Sequence, residues 1–116
     1  MEFEEVVSRV RALTGRTVTA TLFAPDGRRL AHWEGELAEE ELDSEALADR
    51  LESRIAGQAD AEIRVRALRE GGVALFTVGD KPFVVDRIDT ATAEAIQPEG
   101  VRLRDAQGMT VELVPA

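Results

Sequence analysis

The stretch Arg28-Arg29-Leu30-Ala31-His32-Trp33-Glu34-Gly35-Glu36-Leu37 holds the chain's one histidine and its one tryptophan side by side. Histidine does acid–base or nucleophile-activating work only with a second group within hydrogen-bond reach. The three serines, Ser8, Ser44 and Ser53, all fall in or beside segments that read as helix, and none sits on a G-x-S-x-G elbow. No catalytic residue is assigned on this basis. Strand alternation sends His32 to the face shared by Glu34 and Glu36, and Trp33 to the opposite one. The two singletons therefore do not act as one constellation. Trp33 reads either as a core residue, the favoured reading, or as an aromatic anchor of an interface.

Beside Trp33 begins a run of acids. Residues 34 to 49 carry eight of them (Glu34, Glu36, Glu39, Glu40, Glu41, Asp43, Glu45 and Asp49) and no base, whereas the remainder holds fifteen acids against fourteen bases. The net charge of −9 thus resides almost wholly in one segment, which repels nucleic acid and anionic membrane and attracts a basic partner. Trp33, Glu34, Glu36, Glu39, Glu40 and Glu41 form the candidate partner-binding set. The run lacks the alternation and the glycine of a calcium loop. One histidine without cysteine does not make a transition-metal site, so neither metal nor cofactor is expected.

A second candidate set is Arg64, Arg66 and Asp86, with the two arginines on one face of an expected strand. Arginine suits phosphate and carboxylate ligands. Arg102 and Arg104 share another strand face. Acids interleave with both pairs and no basic aromatic platform accompanies them, so nucleic-acid binding is not expected. Gly71-Gly72 lacks the strand-to-helix setting of a phosphate loop. Asp86 and Asp89 are a spaced carboxylate pair, read here as turn chemistry.

The elements that must position these residues follow from pattern. With 116 residues, 44% hydrophobic and 32% charged, the chain suits one globular domain spanning residues 1–116. There is no cysteine, hence no disulfide framework or thiol chemistry. Asparagine and tyrosine are absent and Lys81 is the single lysine. The acidic start Met1-Glu2-Phe3-Glu4-Glu5 is unlike a secretory leader, and no apolar run has membrane-spanning length, so the cytoplasm is the expected compartment.

Phe3, Val6, Val7, Val10 and Leu13 fall at helical spacing, giving a helix over about residues 2–14 that Gly15 can close. Residues 17–23 and the strand after Pro25-Asp26-Gly27 form a hairpin. There the turn and the apolar pattern disagree by one residue, and a longer turn or a second bulge near Gly35 would reconcile them. Asp43 as N-cap, a Leu42/Leu47 staple, the Leu47-Leu51-Ile55 repeat and a stop at Gly57 define a second helix. Much of the acidic run is thereby placed at that helix's N-terminus.

A three-stranded meander is expected next. Ile63, Val65 and Ala67 alternate with Glu62, Arg64 and Arg66, Gly71-Gly72 turns, and residues 73–78 pair with 83–88 through Gly79-Asp80. This sets Phe76 opposite Phe83 and Leu75 opposite Val84, with Pro82 marking an edge. Asp89–Ile96 reads as a short helix in preference to a strand, stopped at Pro98-Glu99-Gly100. A last hairpin around Ala106-Gln107-Gly108 pairs Val101 with Leu113, Arg102 with Glu112 and Leu103 with Val111.

The expected fold class is α+β: an antiparallel sheet of about seven short strands, partly barrel-like or a meander, with two amphipathic helices and a third short one. The order of the first seven elements resembles that of roadblock- and longin-like modules, which implies a dimerising scaffold, although the closing hairpin departs from it. A small Sm-like barrel is the alternative for the strand-rich part. The expected function is a non-enzymatic interaction or structural module that self-associates or binds a protein partner through the acidic segment. The alternative is a small-ligand-binding or regulatory domain built on Arg64, Arg66 and Asp86.

Overall fold

In a computed structural model of the chain, seven strands form one antiparallel sheet in the order β4-β3-β2-β1-β7-β6-β5. The structure describes residues 1–55, 59–90, 92–97, 99–104 and 108–116, with the side chains of all except 55, 59–61, 88 and 89. The expected stops at Gly57 and Pro98 and the turn residues Ala106 and Gln107 lie outside the described residues, as does the side chain of Asp89. Element order is α1 (Phe3–Arg11), β1 (Thr17–Phe23), β2 (Arg29–Glu40), α2 (Ser44–Ile55), α3 (Ala59–Arg69), β3 (Val73–Val78), β4 (Lys81–Asp86), α4 (Arg87–Thr90), β5 (Glu94–Ile96), β6 (Gly100–Arg104) and β7 (Thr110–Pro115). The sheet is open, with β4 and β5 at its ends, so the barrel-like expectation does not hold. Among the described residues no helix is long and apolar enough to cross a membrane.

Helix α1 lies on one sheet face because its apolar residues recur at helical spacing and its charges do not. Val6, Val7 and Val10 are buried, with Glu4 and Glu5 in the first turn and Arg9 and Arg11 in the last, matching the helix dipole. They pack with Val18, Ala20, Leu37, Phe76, Val78, Val85, Val101 and Leu113 into one core. Burying each such side chain contributes roughly 1.5–3 kcal/mol relative to exposure. Phe76 and Phe83 stack across β3 and β4 with ring centroids 5.7 Å apart.

Strand β2 joins the two halves of the sheet. Its residues 29–36 pair with β1 and its residues Leu37–Glu40 pair with β3. The turn between β3 and β4 crosses it so closely that a Cβ on Gly35 would lie 2.5 Å from the Gly79 nitrogen. The disagreement within the first hairpin is settled by a bulge at Leu30. Ala24 N–H donates to the Arg28 carbonyl as the turn requires. The register then shifts between Phe23–Arg29 and Leu22–Ala31, which restores Ala20 opposite Trp33. The reconciling irregularity is thus at Leu30 and not near Gly35.

The expected strand over 61–67 is instead part of α3. The six-residue alternation misleads because Arg64, Ala67 and Leu68 also satisfy an i, i+3, i+4 pattern. Arg64 is half-buried while Ala67 and Leu68 are buried, and Ile63 faces out. Glu, Arg, Ala and Leu dominate the segment, and all are strong helix formers. Gly71-Gly72 ends this helix; it does not make a hairpin. Gly71 has φ +75°, its N–H reaches the Leu68 carbonyl, and Gly72 N–H reaches the Ala67 carbonyl at 2.9 Å. With α3 in that place, the first seven elements no longer follow the roadblock- and longin-like order.

Segment 89–96 also differs from expectation: one helical turn, α4, precedes the short strand β5 paired with β6. The remaining pairings agree with the pattern, including Phe76–Phe83, Leu75–Val84, Val101–Leu113 and Arg102–Glu112. Strand β4 is an edge, as Pro82 suggested.

Candidate functional site

Helices α2 and α3 pack as a hairpin over the face of β3 and β4 that the main core leaves free. Residues 74, 76, 83 and 85 point to the core, so Val73, Val84 and Asp86 face the other way. Asp43 starts α2, its Oδ1 accepting from Ala46 N–H at 3.1 Å. Leu47 and Leu51 then repeat one turn apart and turn inward. Between this hairpin and the strands lies a cleft of about 180 Å³, walled by Leu47, Leu51, Leu68, Val73 and Val84.

Arg64 and Asp86 supply its polar floor. The Arg64 guanidinium donates to the Asp86 carboxylate, whose side chain is 2% exposed against 21% for the arginine. Taking a carboxylate out of water is costly unless it is paired, and the Arg64 pairing offsets part of that cost for Asp86 at the end of β4. Val84, 39% exposed, stands at the rim, and Ile63, 48% exposed, precedes Arg64 on α3. Two broader depressions are open to solvent and lined by no buried residue. One, of about 530 Å³, lies over Glu41–Glu45; the other, of about 260 Å³, lies between Pro25 and Arg104.

The residues expected to form one acidic surface are divided. Glu34, Glu36, Glu39 and Glu40 belong to β2, so the helix N-terminus receives only the later acids. Glu34 and Glu36 are exposed on the open sheet face. Glu39 lies on the α1 side, where Arg11 Nε donates to both its oxygens at 2.6 and 2.9 Å. That hydrogen bond holds the Glu39 carboxyl below its ordinary range, against a smaller opposing effect of burial. Glu40 accepts from the Thr77 hydroxyl at 3.5 Å and Glu41 is exposed.

Trp33 faces the core side but stays half-buried. Its indole N–H donates to the Val78 carbonyl at 3.2 Å, and the Lys81 ammonium sits 4.9 Å from the ring centroid. The β3–β4 turn therefore clamps it from above. His32 is on the open face, its Nδ1 2.9 Å from the Thr21 hydroxyl. Arg66, predicted to share a face with Arg64, points to solvent because helical geometry separates residues two apart.

Sequence reasoning missed Arg69. Its guanidinium gathers Glu45, Asp49 and Glu52 from α2 at 2.5 to 2.9 Å. These hydrogen bonds raise its pKa further above the already high arginine value. The signal was available in the i, i+4, i+7 spacing of the three acids, but only a helix at 59–69 brings a base to them. Arg102 is likewise held between Glu94 and Glu112 across β5, β6 and β7.

The fold and the cleft define an α+β domain with an open antiparallel sheet and, among the described residues, a sheltered apolar recess. Comparison with family models, with curated proteins and with solved structures finds no match.

Proposed function

We propose that the chain is a non-enzymatic interaction domain that receives one large apolar side chain of a protein partner in the cleft between α2–α3 and β3–β4. The cleft's size and lining carry this reading. A volume of about 180 Å³ is below the roughly 300–1,000 Å³ of ordinary small-molecule pockets, yet it accommodates a leucine, methionine or phenylalanine side chain. Its walls are apolar, and its charged floor is occupied by its own ion pair. Exposed Ile63 and Val84 extend the apolar surface beyond the mouth. An anchor residue in such a recess contributes roughly 1.5–3 kcal/mol.

Selection from a random peptide library tests it. Enriched peptides should share one large apolar residue and should lose at least about tenfold in affinity against Val84→Asp. Enrichment of nothing, or of peptides indifferent to Val84→Asp, overturns the reading.

The Arg64–Asp86 pair beside apolar walls favours a second reading, a small-ligand or regulatory domain taking a compact carboxylate or alcohol. Ligand-detected NMR with small branched-chain and aromatic carboxylates separates the two. Saturable binding lost in Leu51→Trp, without peptide enrichment, selects the ligand reading.

A further inference from the structure

Strand β2 is twelve residues long, but its two neighbours cover different parts of it. Strand β1 pairs along 29–36 on one side, and β3 pairs only along 37–40 on the other. The phase of the ladder follows from three hydrogen bonds. Gly15 N–H donates to the Leu37 carbonyl and Leu37 N–H to the Arg16 carbonyl, so odd-numbered residues turn their backbone toward β1. Gly79 N–H donates to the Glu36 carbonyl, so even-numbered residues turn theirs the other way. Below Glu36 the β3–β4 hairpin has already turned back. The backbone groups of His32 and Glu34 therefore face an edge that no strand among the described residues fills. The Leu30 bulge brings Arg29 into step with them, since Arg29 occupies the rung next to Ala31.

Sheet edges are commonly guarded by lysine, proline or shortness. Strand β4 carries Lys81 and Pro82 on its edge, and β5 has three residues. Residues 29–34 of β2 carry neither lysine nor proline, and their one bulge is confined to the end of the stretch, at exposed Leu30.

We infer that two copies of this chain pair antiparallel along the free edge of β2, with His32 at the two-fold axis. Self-complementary charge singles out a second copy as the occupant. Arg29, His32 and Glu34 share the open face of the sheet. In the antiparallel arrangement Arg29 of each copy stands opposite Glu34 of the other, twice by symmetry. Among the described residues neither Arg29 nor Glu34 has an ion-pair partner within its own chain, unlike Arg11, Arg69, Arg87 and Arg102. A parallel pairing would bring like charges together. On the other face, Ala31 lies opposite the half-exposed Trp33 of the second copy. About five rungs bury less than the roughly 1,000 Å² of a firm interface, so the pair forms with rising concentration. This gives the self-association expected from the sequence a definite surface, and it does not depend on the cleft.

Sedimentation equilibrium of the full chain from micromolar to millimolar concentration, with Trp33 fluorescence and amide exchange, tests the inference. The expected result is a dimer, with concentration-dependent Trp33 emission and protection of the His32 and Glu34 amides. Arg29→Glu and His32→Lys each weaken it by about tenfold or more. Combining Arg29→Glu with Glu34→Arg restores it to within about threefold of the parent, and Val84→Asp leaves it unchanged. Circular dichroism confirms that each variant folds. A monomer at every concentration with those amides unprotected overturns the inference. So does a dimer indifferent to Arg29→Glu and His32→Lys, or one that the charge swap fails to restore.

Discussion

Arg64 reaches from α3 to the carboxylate of Asp86 at the end of β4, and this ion pair joins the helical hairpin to the sheet on the face opposite α1. The two partners are unequally buried: Asp86 is enclosed, whereas part of Arg64 meets solvent. The carboxylate is thus the member whose isolation is costly.

Removing Arg64 takes a charged partner from a buried carboxylate, and removing Asp86 takes one from a sheltered guanidinium. Either Arg64→Leu or Asp86→Leu should destabilise the fold by about 3 kcal/mol, less for Asp86→Leu because Arg64 can turn outward. The double substitution should cost less than the two singles together, with a coupling of about 1–3 kcal/mol. Urea denaturation of the four proteins measures this. Additive effects would mean that the pair does not hold the hairpin to the sheet.

The legibility of this fold in its sequence divides along one physical line. Where turn chemistry and side-chain period agree, register was readable to the residue, as in Phe76 opposite Phe83 or Arg102 opposite Glu112. The N-cap at Asp43 was readable for the same reason, since a local bond defines it. Helix α3 was not, because a six-residue alternation fits both periods and only the partner surface decides between them. That one element decides whether the site exists, and it supplies Arg64 and Leu68 to the lining. With residues 61–67 as a strand, Arg64 and Arg66 share a face and no cleft exists; with a helix, Arg64 enters the cleft beside Leu68 and Arg66 leaves it. Arg64 and Asp86 stood in one candidate ligand set and the structure joins them as an ion pair, but the apolar walls that make the recess come from α2, α3, β3 and β4 together. The break in the pairing of β2 was equally hidden, since twelve residues of strand do not reveal how far each neighbour extends.

Two glycines are required for different reasons, one by its backbone angle and one by close approach, and should respond unequally to substitution. Gly71 has φ +75° and open space where a Cβ would stand. Gly71→Ala therefore carries only the left-handed penalty, about 1–2 kcal/mol. Gly35 has no unusual φ, yet its Cβ would meet Gly79 nitrogen at 2.5 Å and Gly79 Cα at 2.7 Å. Backbone cannot yield as a flexible side chain does. Gly35→Ala should be the more damaging, by about 3 kcal/mol or more, and should displace the turn that clamps Trp33. Thermal denaturation followed by Trp33 fluorescence compares them. Equal losses would show that β2 and the β3–β4 turn do not approach as closely as the structure has them.

The contact between Arg11 and Glu39 gives the stability a defined acid response. The hydrogen bond from Arg11 lowers the folded-state pKa of Glu39 below its unfolded value of about 4.3. The folded state therefore binds this proton less readily than the unfolded chain does. The contribution of the pair is fully present above the unfolded value, and it is lost as pH falls through the lower, folded one. Glu39→Gln removes the titrating group but leaves the β2–β3 pairing of Glu39 with Phe76, which is a backbone matter. The variant should be less stable than the parent at neutral pH, and the two should converge as the solution is taken below pH of about 4. Because the pair is largely solvent-exposed, added salt should narrow the neutral-pH difference as well. Urea midpoints across this range, at low and high salt, check both trends. A difference that stayed constant into acid would show that Glu39 contributes through its shape and not its charge, and would sever α1 from β2 electrostatically.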